Sequence, residues 1–182
     1  MNKLLILIVG VLFLSSCGSK VTVYSWNELE ILNFNRSTQQ NNLDSQSIKL
    51  EDFMLRVNLN AGIVDVYASS GGFKTSRKDI LAQQKLDSIQ IFSLDGFDDT
   101  LRQDSILLNQ FFRAAYPSDA PVLDSIQNFV NAWGQSNDSL ESHFDLYLQQ
   151  KPELPVQQFI INAFLNDGRV LIDTTQKVRF LD

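Results

Sequence analysis

Apolar and polar residues alternate one for one along several stretches of this chain, a period that belongs to a strand buried on one face. The longest example sets Phe53, Leu55, Val57 and Leu59 inward against Met54, Arg56, Asn58 and Asn60 outward. A second sets Phe144, Leu146 and Leu148 inward against His143, Asp145, Tyr147 and Gln149. Near the end, Phe159, Ile161, Ala163 and Leu165 share a face, followed by Asn166-Asp167-Gly168 and then by Val170 and Ile172. Asp-Gly between two such runs predicts a β-hairpin through a type I′ turn, whose two central residues take positive φ. Val178 and Phe180 extend the pattern into a last short strand, and Ile89 and Ile91 mark another. Residues 21–26, 29–34 and 64–67 carry fainter versions.

Two segments change period. Leu108, Phe111, Phe112 and Ala115 recur at helical spacing, so a helix is expected over 104–116 with Asp104 as cap and Pro117 as stop. Ile126, Phe129, Val130 and Trp133 predict a second over 121–133, closed by Gly134. Ser76 with Asp79 could start a short helix through Lys85, although Gly71-Gly72 before it fits a loop nearly as well. Residues 35–47 are polar and amide-rich and read as a long loop. The motif Leu86-Asp87-Ser88-Ile89-Gln90 returns at 123–127 with divergent flanks, strand-like in one copy and helical in the other, and is read as coincidence. Strands linked by hairpins pair antiparallel. The expected fold is therefore mainly β, an antiparallel β-sandwich of immunoglobulin-like type with two inserted α-helices, and α+β is the alternative.

The N-terminus supplies the address. Asn2-Lys3 precedes an unbroken apolar run from Leu4 to Leu14, then Ser15-Ser16-Cys17. That run is much shorter than the roughly 20 residues a membrane-crossing helix needs, and it has the layout of a secretory signal. Leu14-Ser15-Ser16-Cys17 resembles the lipobox of bacterial lipoprotein precursors. The resemblance implies cleavage of residues 1–16, diacylglycerol on the Cys17 sulfur and acylation of the new amine. Two or three chains then anchor firmly where one holds only reversibly. Residues 17–20 become the lipidated start and a short tether, and 21–182 a single β-rich domain. Gly18-Ser19-Lys20, with no Asp after the cysteine, fits by the same resemblance transport to the outer membrane of a Gram-negative cell envelope. Without a lipid, Cys17 reads as a small buried hydrophobe. The whole chain is also similar to uncharacterised small lipoproteins of the Bacteroidetes type, through the lipobox, the segments Asp52-Phe53-Met54-Leu55-Arg56-Val57 and Asp87-Ser88-Ile89-Gln90-Ile91-Phe92-Ser93, and the closing Asn166-Asp167-Gly168-Arg169 with Thr174-Thr175.

Composition limits the chemistry. With 15 Lys+Arg against 21 Asp+Glu there is no basic stripe to replace counterions on a phosphate backbone, so no nucleic-acid partner is expected. One His and one Cys leave clustered zinc sites, Cys–His pairs and disulfide frameworks without material. The sequence names no catalytic residue, no cofactor and no metal ligand. Asp95-Gly96-Phe97-Asp98-Asp99, with Asp104 nearby, is the densest carboxylate group, but it lacks EF-hand spacing and reads first as a solvated loop and second as a calcium loop. His143 stands near Glu141, Ser142 and Asp145, but sequence neighbours on a strand face opposite ways, and it reads as a surface histidine. Among Trp26, Tyr67, Tyr116, Trp133 and Tyr147, Trp133 fits a helix core and Tyr147 is the expected exposed contact residue. With 14 Asn and 15 Gln the surface suits neutral hydrogen-bonding partners and plain solvation alike. The expectation is a non-enzymatic binding or structural module with a protein or glycan partner. The alternative is a tethered hydrolase that attacks glycans through a carboxylate pair.

Overall fold

The computed structural model describes residues 19–41, 47–69, 80–82, 84–97, 107–118, 120–133 and 143–181. In chain order the described elements are β1 (Ser19–Asn35), β2 (Gln40–Asn41), β3 (Ser47–Ile48), β4 (Phe53–Ser69), β5 (Ile80–Ala82), β6 (Leu86–Ser93), β7 (Phe112–Ala115), α1 (Ile126–Trp133), β8 (His143–Leu148), β9 (Val156–Gln157), β10 (Phe159–Leu165), β11 (Val170–Thr174) and β12 (Val178–Phe180). The chain divides into two units, residues 26–61 with 84–182 and residues 1–25 with 62–83. In the smaller one, β5 runs parallel to the start of β1, with Thr22, Val23 and Tyr24 opposite Ile80, Leu81 and Ala82. The short helix considered from Ser76 through Lys85 is therefore a strand over Ile80–Ala82, while 70–79 lies outside the described residues.

The larger unit is mainly β and sandwich-like. One sheet runs β2-β1-β4-β8-β7, a second β11-β10-β6 and a third β3-β12-β9. The immunoglobulin arrangement has two antiparallel sheets. Among the described residues there are three, and β12 lies parallel to β3. The inward rows predicted for β4, β8 and β10 are all buried and meet in one core. Aromatic rings join the layers: Phe159 of β10 lies 6.1 Å from Phe53 of β4 and 5.6 Å from Phe112 of β7, and Phe53 lies 5.0 Å from Phe180 of β12. On α1, Ile126, Phe129, Val130 and Trp133 are buried as the spacing predicts, with Trp133 5.1 Å from Phe144 and stacked 6.3 Å from Trp26.

Four expectations change. The helix over 104–116 is absent across its described part: residues 109–111 form a single 3₁₀ turn and Phe112–Ala115 is β7. Leu108, Phe112 and Ala115 are still buried and Phe111 half-buried, but the backbone finds non-local partners, β8 on one side and Asp124 on the other, and these override local propensity. Asp104 lies outside the described residues. The second helix begins at Ile126, not 121, because Asp124 exchanges two 2.9 Å backbone bonds with Ala114 and stays extended. Ser125 then caps the helix, its Oγ accepting the Asn128 N–H at 3.3 Å. The hairpin forms, but only Gly168 has positive φ (86°). The Gly168 N–H donates to the Leu165 carbonyl and the Leu165 N–H to the Arg169 carbonyl, a type I turn with a glycine bulge instead of type I′. That extra residue reverses β11, so Val170 and Ile172 face outward and Leu171 and Asp173 inward. Finally, the polar loop of 35–47 holds a turn at residues 36–39 and the short strand β2.

Two substitutions test these forces in opposite regimes. Phe159→Ala should cost about 3–5 kcal/mol through an uncollapsed core cavity. Gly168→Ala meets no atom within 4 Å, so it should cost only the positive-φ strain, about 1 kcal/mol. Urea unfolding midpoints check both.

Candidate functional site

The outer face of the first sheet was expected to be polar, yet Phe34 of β1, Met54 of β4, Ala115 of β7 and Tyr147 of β8 form a second buried cluster there. These residues sit at the outward positions of their strands, so they build a small apolar floor on the side away from the main core. Above it lies an ion pair. Arg56 and Asp145 are directly opposite in the β4–β8 register, and the guanidinium donates twice, Nε to Oδ1 at 2.9 Å and Nη2 to Oδ2 at 3.1 Å. The fork matches the carboxylate plane, which makes the pair directional as well as attractive. Asp145 is 1% exposed although the alternation placed it in solvent. The Arg56 guanidinium lies 4.3 Å above the Phe34 ring, and that of Arg36 lies 5.2 Å above the Tyr147 ring.

The chain after β1 shapes one wall. The Arg36 N–H donates to the Asp52 carbonyl at 2.8 Å, and the Ser37 hydroxyl donates to the Asp52 carboxylate. Asn35 Oδ1 accepts the N–H groups of Ser37 and Thr38, an Asx turn that ends in Gln39 at φ 56°. With Glu51, Pro117 and Ser118, the residues Arg36, Ser37, Gln39 and Asp52 border a groove of about 620 Å³. Electrostatics within it are mixed. Hydrogen bonding to Asp145 pushes the Arg56 guanidinium up further still, against the lowering effect of burial. Burial, then the Asp145 charge, pushes the Tyr147 phenol above its usual 10, while Arg36 and Arg56 draw it back. Among the described residues no carboxylate pairs with Arg36, so its charge faces the groove with only a ring beneath it. The arrangement offers donors, acceptors and an apolar floor, a set suited to recognition.

The residues singled out in the sequence fall elsewhere. Cys17, Asp98, Asp99, Asp104, Glu141 and Ser142 lie outside the described residues. Asp95 is exposed and 3.5 Å from Lys177 Nζ, in a loop fixed by buried Gln157, whose Nε2 donates to the Gly96 carbonyl at 2.9 Å. His143 starts β8 opposite Asn58, half-buried. Trp133 is core, as expected, and so is Trp26. Tyr147, expected exposed, is 6% exposed and forms part of the groove floor, because the apolar cluster and Arg36 cover it. The pair Arg56–Asp145 and the residue Arg36 went unremarked in the sequence. The available signal was that Phe34, Met54 and Tyr147 interrupt a face otherwise polar.

No protein-family model, no curated protein and no solved structure matches the chain.

Asp145→Ala should destabilise by about 3 kcal/mol because it strands the Arg56 charge over an apolar floor, whereas Arg56→Met with Asp145→Leu should fall within about 1 kcal/mol of the parent. The Tyr147 phenol has a raised folded-state pKa, so the unfolded chain loses that proton first; the stability involved is intact below pH 10 and lost as pH rises through the folded value. Urea midpoints measured between about pH 8 and pH 11 should fall, and Tyr147→Phe should remove that portion of the slope.

Proposed function

We propose that this chain is a lipid-anchored protein of the Gram-negative cell envelope, held at the outer membrane through Cys17, whose β body binds a protein or glycan partner through the groove beside Tyr147. The anchor rests on the apolar run from Leu4 to Leu14 ending in Leu14-Ser15-Ser16-Cys17. No helix of the described residues is long and apolar enough to cross a membrane.

The binding role rests on one observation, two arginines held against aromatic rings over a buried floor. Arginine and tyrosine dominate binding energy where they are packed and desolvated, and side chains already fixed lose less entropy on association. The groove's most buried carboxylate, Asp145, has both oxygens engaged by Arg56. With both oxygens turned to Arg56, neither is free to meet a bound substrate, which favours recognition over hydrolysis by a carboxylate pair.

Fatty-acid labelling in a Gram-negative host tests the anchor: Cys17→Ser should abolish the label and leave the precursor uncut, and unchanged labelling would reject the site. For the groove, Arg36→Ala keeps the floor intact and should weaken binding to isolated envelope glycan or envelope protein by about tenfold, near 1.4 kcal/mol. Unaltered binding would remove the groove from this reading.

A further inference from the structure

Among the described residues of the larger unit, the edges of β6 and β7 and one position of β1 are closed by side chains or bridges. On β6, the Ile91 N–H donates to Asn109 Oδ1 at 3.0 Å, Asn109 Nδ2 donates to the Ile89 carbonyl at 2.6 Å, and the Leu108 N–H donates to the Ile91 carbonyl at 2.8 Å. Beside β7, Asp124 exchanges two bonds with Ala114. On β1, the Ile31 N–H is taken by Asp173 Oδ2 at 2.8 Å. The strands β2, β3 and β9 have two residues each, too short to template a partner.

The edge of β11 has none of this protection. Among the described residues it ends its sheet, pairing with β10 alone. The Leu165 N–H meets the Arg169 carbonyl and the Thr175 N–H meets the Phe159 carbonyl, so the odd-numbered residues of this strand turn their backbone groups toward β10. Those of Val170, Ile172 and Thr174 point away, and no described residue bonds them. The same residues expose their side chains, Val170 by 40% and Ile172 by 62%. Unpaired backbone groups ask for a strand, and apolar side chains at alternate positions ask for an apolar row beside them.

We propose that a second copy of this chain fills this edge, its β11 adding antiparallel about a two-fold axis at Ile172 and joining two three-stranded sheets into one of six. Centring on Ile172 is the register that uses all five residues of both strands. It sets Val170 against Thr174, Leu171 against Asp173 and Arg169 against Thr175, with no like charges opposed. Just beyond the strand ends it brings Asp167 of one copy, already 2.9 Å from its own Arg169, toward Lys177 of the other, already 3.5 Å from its own Asp95, so the ends meet as neutral ion pairs, twice by symmetry. Centring on Asp173 would instead oppose two carboxylates directly. This pairing is independent of both the anchor and the groove.

Disulfide trapping tests it in the full chain carrying Cys17→Ser, which removes the one native thiol. In the stated register two Ile172→Cys copies place their Cα atoms about 5.5 Å apart, within disulfide range. Two Thr174→Cys copies stand four residues out of step, about 13 Å apart. Mild oxidation should therefore link the Ile172→Cys chain into a dimer and leave the Thr174→Cys chain monomeric. In sedimentation the parent should run as a dimer and Ile172→Lys as a folded monomer by circular dichroism. A monomeric parent, equal cross-linking at both positions, or capture of a different protein by the Ile172→Cys chain in place of its own copy would each overturn the proposal.

Discussion

The larger unit depends on how Phe159 is held. Its ring is wholly buried and lies against Phe53 and Phe112, so one side chain of the second sheet packs on two strands of the first. Its backbone is fixed as firmly: the N–H donates to Thr175 Oγ1 and the carbonyl accepts the Thr175 N–H. Thr175 is itself 1% exposed, so the polar anchor and the apolar contact are sealed together. Two layers pressed on a ring that cannot shift have a defined spacing, and that spacing fixes where the outer faces lie.

Much of this was legible from periodicity. Alternation located β4, β8 and β10 and their inward rows, because side chains on a strand must alternate and only one row can enter the core. Legibility failed where a distant partner decided the outcome. Leu108, Phe111, Phe112 and Ala115 satisfy a helical stripe, yet the backbone of this segment bonds elsewhere, Leu108 to Ile91 of β6, Phe112–Ala115 to β8 and Ala114 to Asp124. A two-residue type I′ turn would put Val170 and Ile172 on the same face as Leu165, and one bulged glycine reverses that parity. The groove failed for a subtler reason. A binary pattern has one inside, and a sheet with a second, smaller buried cluster has two.

That second cluster explains how a charged pair is tolerated there. Arg56 and Asp145 lose most of their water, and two short bonds with the face of Phe34 replace part of it. Such a pair contributes little net stability, but it fixes the register of β4 against β8 and holds both chains still beneath the groove. The wall made by Ser37 and Asp52 has the same character, local polar bonds that set shape. Rigid polar geometry over a thin apolar layer is costly to maintain for stability alone, and it is what recognition of a mixed polar and apolar ligand requires.

Asp173 links two parts of the molecule that the sequence keeps far apart. It belongs to β11 yet closes β1, by accepting the Ile31 N–H. Peeling the C-terminal hairpin strand away would therefore bare the flank of β10 and the flank of β1 in a single event. Both are rich in branched aliphatic residues, and strands of that kind stack readily into cross-β fibres once nothing covers them. One carboxylate thus makes detachment of this hairpin an aggregation hazard for two strands at once.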